Sequence, residues 1–179
     1  MRSTLTRRAL AAFAAVATST ALAAPAAGAQ SLSFEIGAGV ATPCQTANSV
    51  DMEQIVDDIH EHTNLERAEV GAAPVQRLDS LDEIAQDWSS QMASDDWMRH
   101  NPDIRARVSQ SYPGQWRSYG ENVLQNWCGA SGEKLVEQWM RSPGHRLNLL
   151  NPAHTHLGVG AAVADSSKLY STQNFVRLR

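Results

Sequence analysis

The sequence has few cysteines. Only two occur in 179 residues, Cys44 and Cys128, and neither belongs to a C-x-x-C pair or has a histidine at ligand spacing beside it. Zinc sites built on cysteine need such closely spaced partners, so we do not expect these two residues to bind metal. In an exported chain the pattern favours one structural disulfide, with two free thiols as the alternative.

The sequence also has no apolar run long enough to span a membrane. Residues 9–24 are apolar but dominated by alanine, whereas a spanning helix needs about 20 strongly apolar residues. The run follows Arg7-Arg8 and precedes the small residues Ala27-Gly28-Ala29, which is the order of a secretory signal peptide. We therefore expect residues 1–29 to be removed and the protein to be secreted and extracellular. Whether the arginine pair marks the general or the twin-arginine export route stays open.

Basic residues are not in excess. The chain has 15 Lys and Arg against 19 Asp and Glu, a formal net charge of −4. Removing residues 1–29 takes away three arginines and no acidic residue, so the net charge moves to −7. Sequence-independent binding of nucleic acid depends on clustered Lys and Arg, so no nucleic-acid partner is expected. We expect an N-terminal arm (30–48) and one domain (49–179), acting as a monomer.

Hydrophobic periodicity predicts helices first and strands last. Apolar residues recur at three- and four-residue steps in the second helix, which we expect Asp79 to cap. The predicted helices cover residues 50–71, 79–92, 104–108 and 131–140. Alternating residues then predict a hairpin, 157–163 and 169–176, around a turn at 165–167. The order predicts an α+β domain around one sheet, with an irregular connection over 94–120.

Several side chains can be assigned from spacing alone. Two tryptophans and two methionines are expected in the core because they fall on the apolar faces of helices: Trp88, Met92, Trp139 and Met140. His60 and His62 are two residues apart on a helix, so they point in different directions and are interpreted as surface or rim residues.

The stretch from Trp139 to Gly160 is the one most indicative of function. Pro143 has no backbone N–H and Gly144 tolerates unusual dihedrals, so a sharp turn is expected at residues 142–144, immediately before His145. A titratable side chain on a rigid corner is typical of a functional site. The alternative is that His145 ends a helix while Arg146 and Asn148 satisfy nearby carbonyl groups.

Four short motifs, in this order and spacing, resemble those of the CAP superfamily (cysteine-rich secretory, antigen 5 and pathogenesis-related 1 proteins, also called SCP-like extracellular proteins), in its bacterial branch. They are His100-Asn101, Gly120-Glu121-Asn122-Val123, Ser142-Pro143-Gly144-His145-Arg146 and Leu157-Gly158-Val159-Gly160. The resemblance covers about residues 55–177 and includes Asn64, Arg67, Gln173 and Phe175. It implies a three-layer α-β-α sandwich with a central, mostly antiparallel sheet and an open cleft.

The resemblance also implies a site. Two histidines and two glutamates line the cleft in eukaryotic members and can hold a divalent ion, often zinc. His100, Glu121 and His145 match three of these positions, but the second glutamate, three residues after Trp139, is replaced by Ser142. We therefore expect zinc or another divalent cation to bind weakly, at most. The alternative is that the three residues form a buried polar network that locks the walls of the cleft.

Three functions fit these observations. The first, which we favour, is a secreted binding module whose cleft holds a small lipid-like or cell-wall-derived ligand. The second is a metal-assisted hydrolase of peptide or phosphodiester bonds, which the serine at position 142 counts against. The third is a structural surface protein with a vestigial cleft, which the intact trio of His100, Glu121 and His145 counts against.

Overall fold

The computed structural model describes residues 49–179, with side chains from residue 52 onward. Within this range the helices are α1 (Ser49–Glu69), α2 (Asp79–Asp95), α3 (Ile104–Ser111), α4 (Gly132–Arg141) and α5 (Pro143–Leu149). The strands are β1 (Gln76–Arg77), β2 (Trp116–Trp127), β3 (His156–Val163) and β4 (Lys168–Leu178). The predicted signal peptide, the predicted arm and Cys44 lie outside the described residues, so those predictions and the disulfide stay predictions.

The strands form one sheet in the order β1-β3-β4-β2. Only β1 and β3 are parallel, and the two long pairings, β3 with β4 and β4 with β2, are antiparallel. This confirms the mostly antiparallel sheet. None of the helices in the described range is both long enough and apolar enough to cross a membrane.

Helices cover both faces of the sheet. On one face, α1, α4 and α5 enclose a core that includes Ile59, Trp139 and Phe175, all fully buried. On the other face, α2 and α3 pack over Val176 through Leu81 and Val108. The helix–sheet–helix layering confirms the predicted α-β-α sandwich.

Helix α2 lies unusually close to β3, and two glycines of the L-G-V-G motif permit it. A Cβ on Gly158 would lie 2.1 Å from the carbonyl carbon of Leu81, and one on Gly160 would lie 2.3 Å from the backbone nitrogen of Gln86. No side chain fits between backbones at these distances. The motif is therefore a packing requirement of the α2–β3 contact.

Side chains of α2 also satisfy the outer edge of β3. Strand β1 pairs only with His156 and Leu157. Beyond it, the Asp82 carboxylate accepts a hydrogen bond from the Val159 N–H (2.7 Å). The Gln86 amide accepts from the Ala161 N–H (3.1 Å) and donates to the Ala161 carbonyl (3.0 Å). These side chains replace the bonds that a neighbouring strand would make.

The structure corrects several predictions about single residues. Asp79 is the first residue of α2 and not its cap, which is Leu78. Met92 and Trp139 are fully buried as predicted, but Trp88 and Met140 are only partly buried, because each packs at the margin of a core cluster.

His60 was interpreted as a surface or rim residue, but the structure buries it. It is 8% exposed, and its Nε2 lies 3.2 Å from Asp82 Oδ1 on the neighbouring helix α2. The carboxylate provides a polar partner that the helical spacing of α1 could not reveal.

Three elements were not predicted: the two-residue strand β1, strand β2 and helix α5. Strand β2 pairs with β4 on one side only, and the exposed and polar residues along it hide the alternation that marks a strand. Helix α5 is seven residues long and begins at Pro143, where a turn was expected. Proline is compatible with the first position of a helix, since the N–H it lacks has no partner there.

Candidate functional site

The three predicted site residues come from three different elements. His100 lies in the loop after α2, Glu121 lies in the middle of β2, and His145 is the third residue of α5. Strand β2 holds Glu121 opposite Asn174 of β4, in a register that is continuous from Ser118 to Trp127. The sheet therefore fixes the glutamate, while a loop and a short helix supply the histidines.

His100 and Glu121 form a direct pair. Their Nδ1 and Oε1 atoms are 2.7 Å apart, and the Asn101 N–H donates to the same carboxylate oxygen at 2.9 Å. The His100 side chain is 64% exposed and that of Glu121 is 5% exposed. Burial raises the pKa of Glu121, and it outweighs the opposing effect of the two hydrogen bonds. A buried carboxyl group with a raised pKa beside an exposed imidazole is suited to accept or donate protons.

The second oxygen of Glu121 has no partner among the described residues. Within residues 52–179, Glu121 Oε2 is buried and makes no hydrogen bond, and neither does either polar side-chain atom of Asn174. Residues paired across an antiparallel sheet present their side chains on the same face, so these three atoms lie on the face covered by α2. Buried polar groups are normally satisfied because leaving one unpaired costs about 1–3 kcal/mol. The cluster is thus the least satisfied polar region next to the site.

The surroundings of His145 favour its neutral form. Burial lowers its pKa, and the positive charge that His100 can carry lowers it further. The same effect places the two histidines within electrostatic reach of each other. A neutral imidazole can accept a proton or ligate a metal.

Two asparagines fix α5 against β2. Asn122 donates to the His145 carbonyl (3.1 Å), and Asn148 donates to the Glu121 carbonyl (3.1 Å) and to the side-chain oxygen of Asn122 (3.1 Å). The interpretation in which Asn148 satisfies nearby carbonyls is thus confirmed for this residue. Asn122 was quoted only as part of a motif, and its position next to Glu121 was the available signal for its role.

A buried cation supports the segment after α5. Arg67 is fully buried, and its guanidinium donates to the carbonyls of Leu149 (2.8 Å), Asn151 (3.0 Å) and His154 (3.3 Å). Its Nε donates to Ala73 (2.9 Å). These bonds tie α1 to the loop that follows the site helix.

The fit to a metal ion can be tested on the same atoms. No three His, Cys, Asp or Glu side chains in the described range are grouped closely enough to hold a metal ion. His100 and Glu121 direct one ligand atom each at the other. Ser142 is the N-cap of α5, half-buried, and its side chain makes no capping hydrogen bond. The residues therefore do not form a ready metal site, and zinc binding stays a prediction.

Comparison with known proteins places this geometry in a family. The profile of the CAP, or cysteine-rich secretory protein, family matches residues 60–175. The uncharacterised protein YkwD of Bacillus subtilis strain 168 is 32% identical over 119 residues, which is 65% of this chain and 44% of that protein.

Two solved structures share the fold. An extracellular SCP-domain protein of Bacillus anthracis has a TM-score of 0.60 at 28% identity, covering 70% of this chain and 41% of that one. A cysteine-rich secretory protein of Staphylococcus aureus has a TM-score of 0.58 at 20% identity, covering 73% and 41%. This chain thus spans less than half the length of each of these three proteins. Because the family profile matches more than half of the chain, this protein belongs to the CAP family.

Proposed function

We propose that this protein is a secreted binding module whose cleft, bordered by His100, Glu121 and His145, holds a small lipid-like or cell-wall-derived ligand. The observation that carries the proposal is the unpartnered Glu121 Oε2 beside the unpartnered amide of Asn174. These buried polar atoms adjoin an imidazole that is largely exposed. A ligand with a hydroxyl or amide group that bonds to the exposed imidazole would lie next to this cluster.

Hydrolysis is the second candidate, and one observation favours it. The raised pKa of Glu121 and the lowered pKa of His145 bring a carboxyl group and a neutral imidazole toward the same pH range. Such a pair supports general acid–base chemistry. Binding is preferred because Ser142 supplies a neutral hydroxyl where relatives place the second carboxylate.

The binding proposal is tested on protein collected from the culture medium. Native mass spectrometry of the wild type is expected to show a bound small molecule whose occupancy falls in Glu121→Gln and His145→Ala. Glu137→Gln is the matched control, since Glu137 is an exposed carboxylate on α4 that pairs only with Lys134 and Arg141. Equal occupancy in all four proteins would contradict the proposed cleft.

A divalent cation is a separate proposal at the same position. Neutral His145 and the unpartnered Glu121 Oε2 are two available donors. Since ligating histidines must be neutral, zinc affinity is expected to fall as pH is lowered, and the lowered pKa of His145 places this fall below the ordinary histidine value of about 6.5. Ser142→Glu should tighten binding in calorimetric titration and His145→Ala should abolish it. If the zinc affinity is the same in both variants as in the wild type, the metal binds elsewhere.

A further inference from the structure

One of the most exposed aromatic side chains of the described range lies just before the cleft. Trp97 is 64% exposed and stands three residues before His100. Together with Met98, which is 45% exposed, it forms the tip of the loop between α2 and the site. Exposure alone does not mark a site, since single exposed apolar residues are common and Trp127 is 60% exposed as well. What distinguishes Trp97 is the way its loop and its ring are held.

The backbone of this loop is fixed. Asp96 adopts the left-handed conformation (φ 49°), which few residues other than glycine adopt without strain. The N–H groups of Asp96 and Trp97 donate to the carbonyls of Ala93 and Met92, forming the capping pattern that often buries the residue at the position of Trp97 against the helix. Here the tryptophan is held outward instead.

The Asp96 side chain anchors the loop to the β3–β4 hairpin. Its carboxylate accepts hydrogen bonds from Ser166 (2.8 Å), Lys168 (3.0 Å) and Tyr170 (2.8 Å). The ammonium of Lys168, with the two hydroxyl donors, lowers the pKa of Asp96, so these contacts favour its charged form. Three partners from one hairpin hold Asp96 in this conformation, which aspartate tolerates better than most residues do.

The Trp97 ring is fixed as well. The guanidinium carbon of Arg99 lies 4.8 Å from the centroid of the Trp97 ring and 4.9 Å from that of Trp88. The guanidinium also donates to Asp95 (2.5 Å) and to the Trp97 carbonyl (3.3 Å), and the Trp88 indole donates to the Arg99 carbonyl (2.9 Å). Cation–π contact with two rings orients the exposed indole before any ligand arrives.

We infer that Trp97 is a preoriented stacking platform for a sugar ring of a cell-wall glycan, the polar groups of which reach His100. The inference rests on the proposed binding function and specifies its ligand class. A lipid tail needs an enclosing pocket to leave water, whereas this platform is a single ring largely open to solvent. A pyranose has one apolar C–H face that can stack on indole while its hydroxyl and amide groups stay hydrated or bond to the exposed imidazole.

The experiment uses the full exported chain and a soluble tetramer of β-1,4-linked N-acetylglucosamine, titrated by calorimetry. Trp97→Ala is expected to weaken binding about tenfold, as loss of an aromatic stacking partner does. Arg99→Ala, which frees the ring, should weaken it about threefold, and Arg99→Lys should restore most of the affinity. Trp127→Ala is the matched control because Trp127 is 60% exposed at the far end of β2. Urea midpoints of all variants check that the fold is kept.

Three results would overturn the inference. They are a wild type that does not bind the tetramer, a Trp97→Ala variant that binds as well as the wild type, and equal losses in Trp97→Ala and Trp127→Ala. Each is distinguishable from failure of the proposed function. If the occupancy of the copurified ligand still falls in Glu121→Gln while Trp97→Ala has no effect, the proposed cleft is supported and the stacking platform is rejected.

Discussion

Two buried charged residues of this molecule are treated in opposite ways. Arg67 directs its guanidinium at four backbone carbonyls, so dipoles of the fold solvate its charge in place of water. Glu121 has two donors on one oxygen and none on the other, and one of those donors belongs to the largely exposed His100. A fully satisfied buried charge stabilises the fold, whereas a half-satisfied one retains the capacity to bind. The contrast separates the structural from the functional polar residues.

The largest expected effect is on the arginine. Arg67→Met keeps most of the apolar stem but leaves the carbonyls of Leu149, Asn151 and His154 without their donor. We expect a loss of roughly 3–5 kcal/mol in the free energy of unfolding, the range seen when one partner of a buried charged contact is removed. Urea denaturation measures it.

Arg107→Met is the control for that change. Arg107 pairs with Asp87 on the exposed surface, and such pairs contribute about 0–1 kcal/mol. Similar urea midpoints for Arg67→Met and the wild type would show that other contacts hold the loop after α5. Arg67 would then not be the structural residue that the comparison assumes.

The next largest effect on stability is expected at His154. Like Arg67 and Glu121 it is a buried titratable residue, but it is neutral in the native protein. It is 3% exposed and stacks on Phe175, and neither ring nitrogen has a partner. Burial, helped by the nearby charge of Arg67, lowers its pKa to about 4. The unfolded chain therefore binds a proton at higher pH than the native protein does, so stability is lost as pH falls from about 6.5 towards 4.

Replacement by phenylalanine tests this sign. His154→Phe keeps an aromatic ring against Phe175 and removes the titrating group, so the acid-side loss of up to roughly 3 kcal/mol should shrink. Urea midpoints at pH 7 and pH 4.5 for both proteins give the answer. A variant with the wild-type pH dependence would mean that other groups cause the acid sensitivity.

The smallest effect on stability is expected at Glu121. Its native pKa is raised, so the ionised form opposes folding once pH rises through that native pKa. Glu121→Gln removes the charge and keeps an acceptor oxygen for the Asn101 N–H. Unfolding stability at pH 7 should be unchanged or slightly higher, while ligand occupancy falls. If Glu121→Gln destabilises the protein as much as Arg67→Met does, Glu121 is a structural residue and the distinction between it and Arg67 is wrong.

The sequence was sufficient for the parts of the fold that depend on local pattern. Helix α2 was recognisable because its apolar residues recur on one face, and the β3–β4 hairpin was recognisable because its residues alternate around a polar turn. The resemblance of short motifs implied that His100, Glu121 and His145 border one cleft, and the structure brings the first two of them into contact. Each of these signals lies within a few consecutive residues.

The rest depends on contacts between distant residues. The carbonyl partners of Arg67 at the end of α5 and in the loop after it are 82, 84 and 87 residues away along the chain, so no pattern around position 67 identifies them. Asp82, the partner of His60, is likewise on another helix. Strand β2 was not predicted because it is identified by its pairing with β4, which is distant along the chain.

The hydrogen bonds from side chains of α2 to the outer edge of β3 have a consequence for aggregation. An unpaired strand edge is a template on which another chain can add a strand, the first step of fibre growth. Gln86 occupies both backbone groups of Ala161, and Asp82 occupies the N–H of Val159. A second molecule could extend the sheet here only by displacing both side chains. Helix α2 therefore does more than pack against the sheet. Its side chains also hinder another molecule of the same protein from adding a strand at this edge.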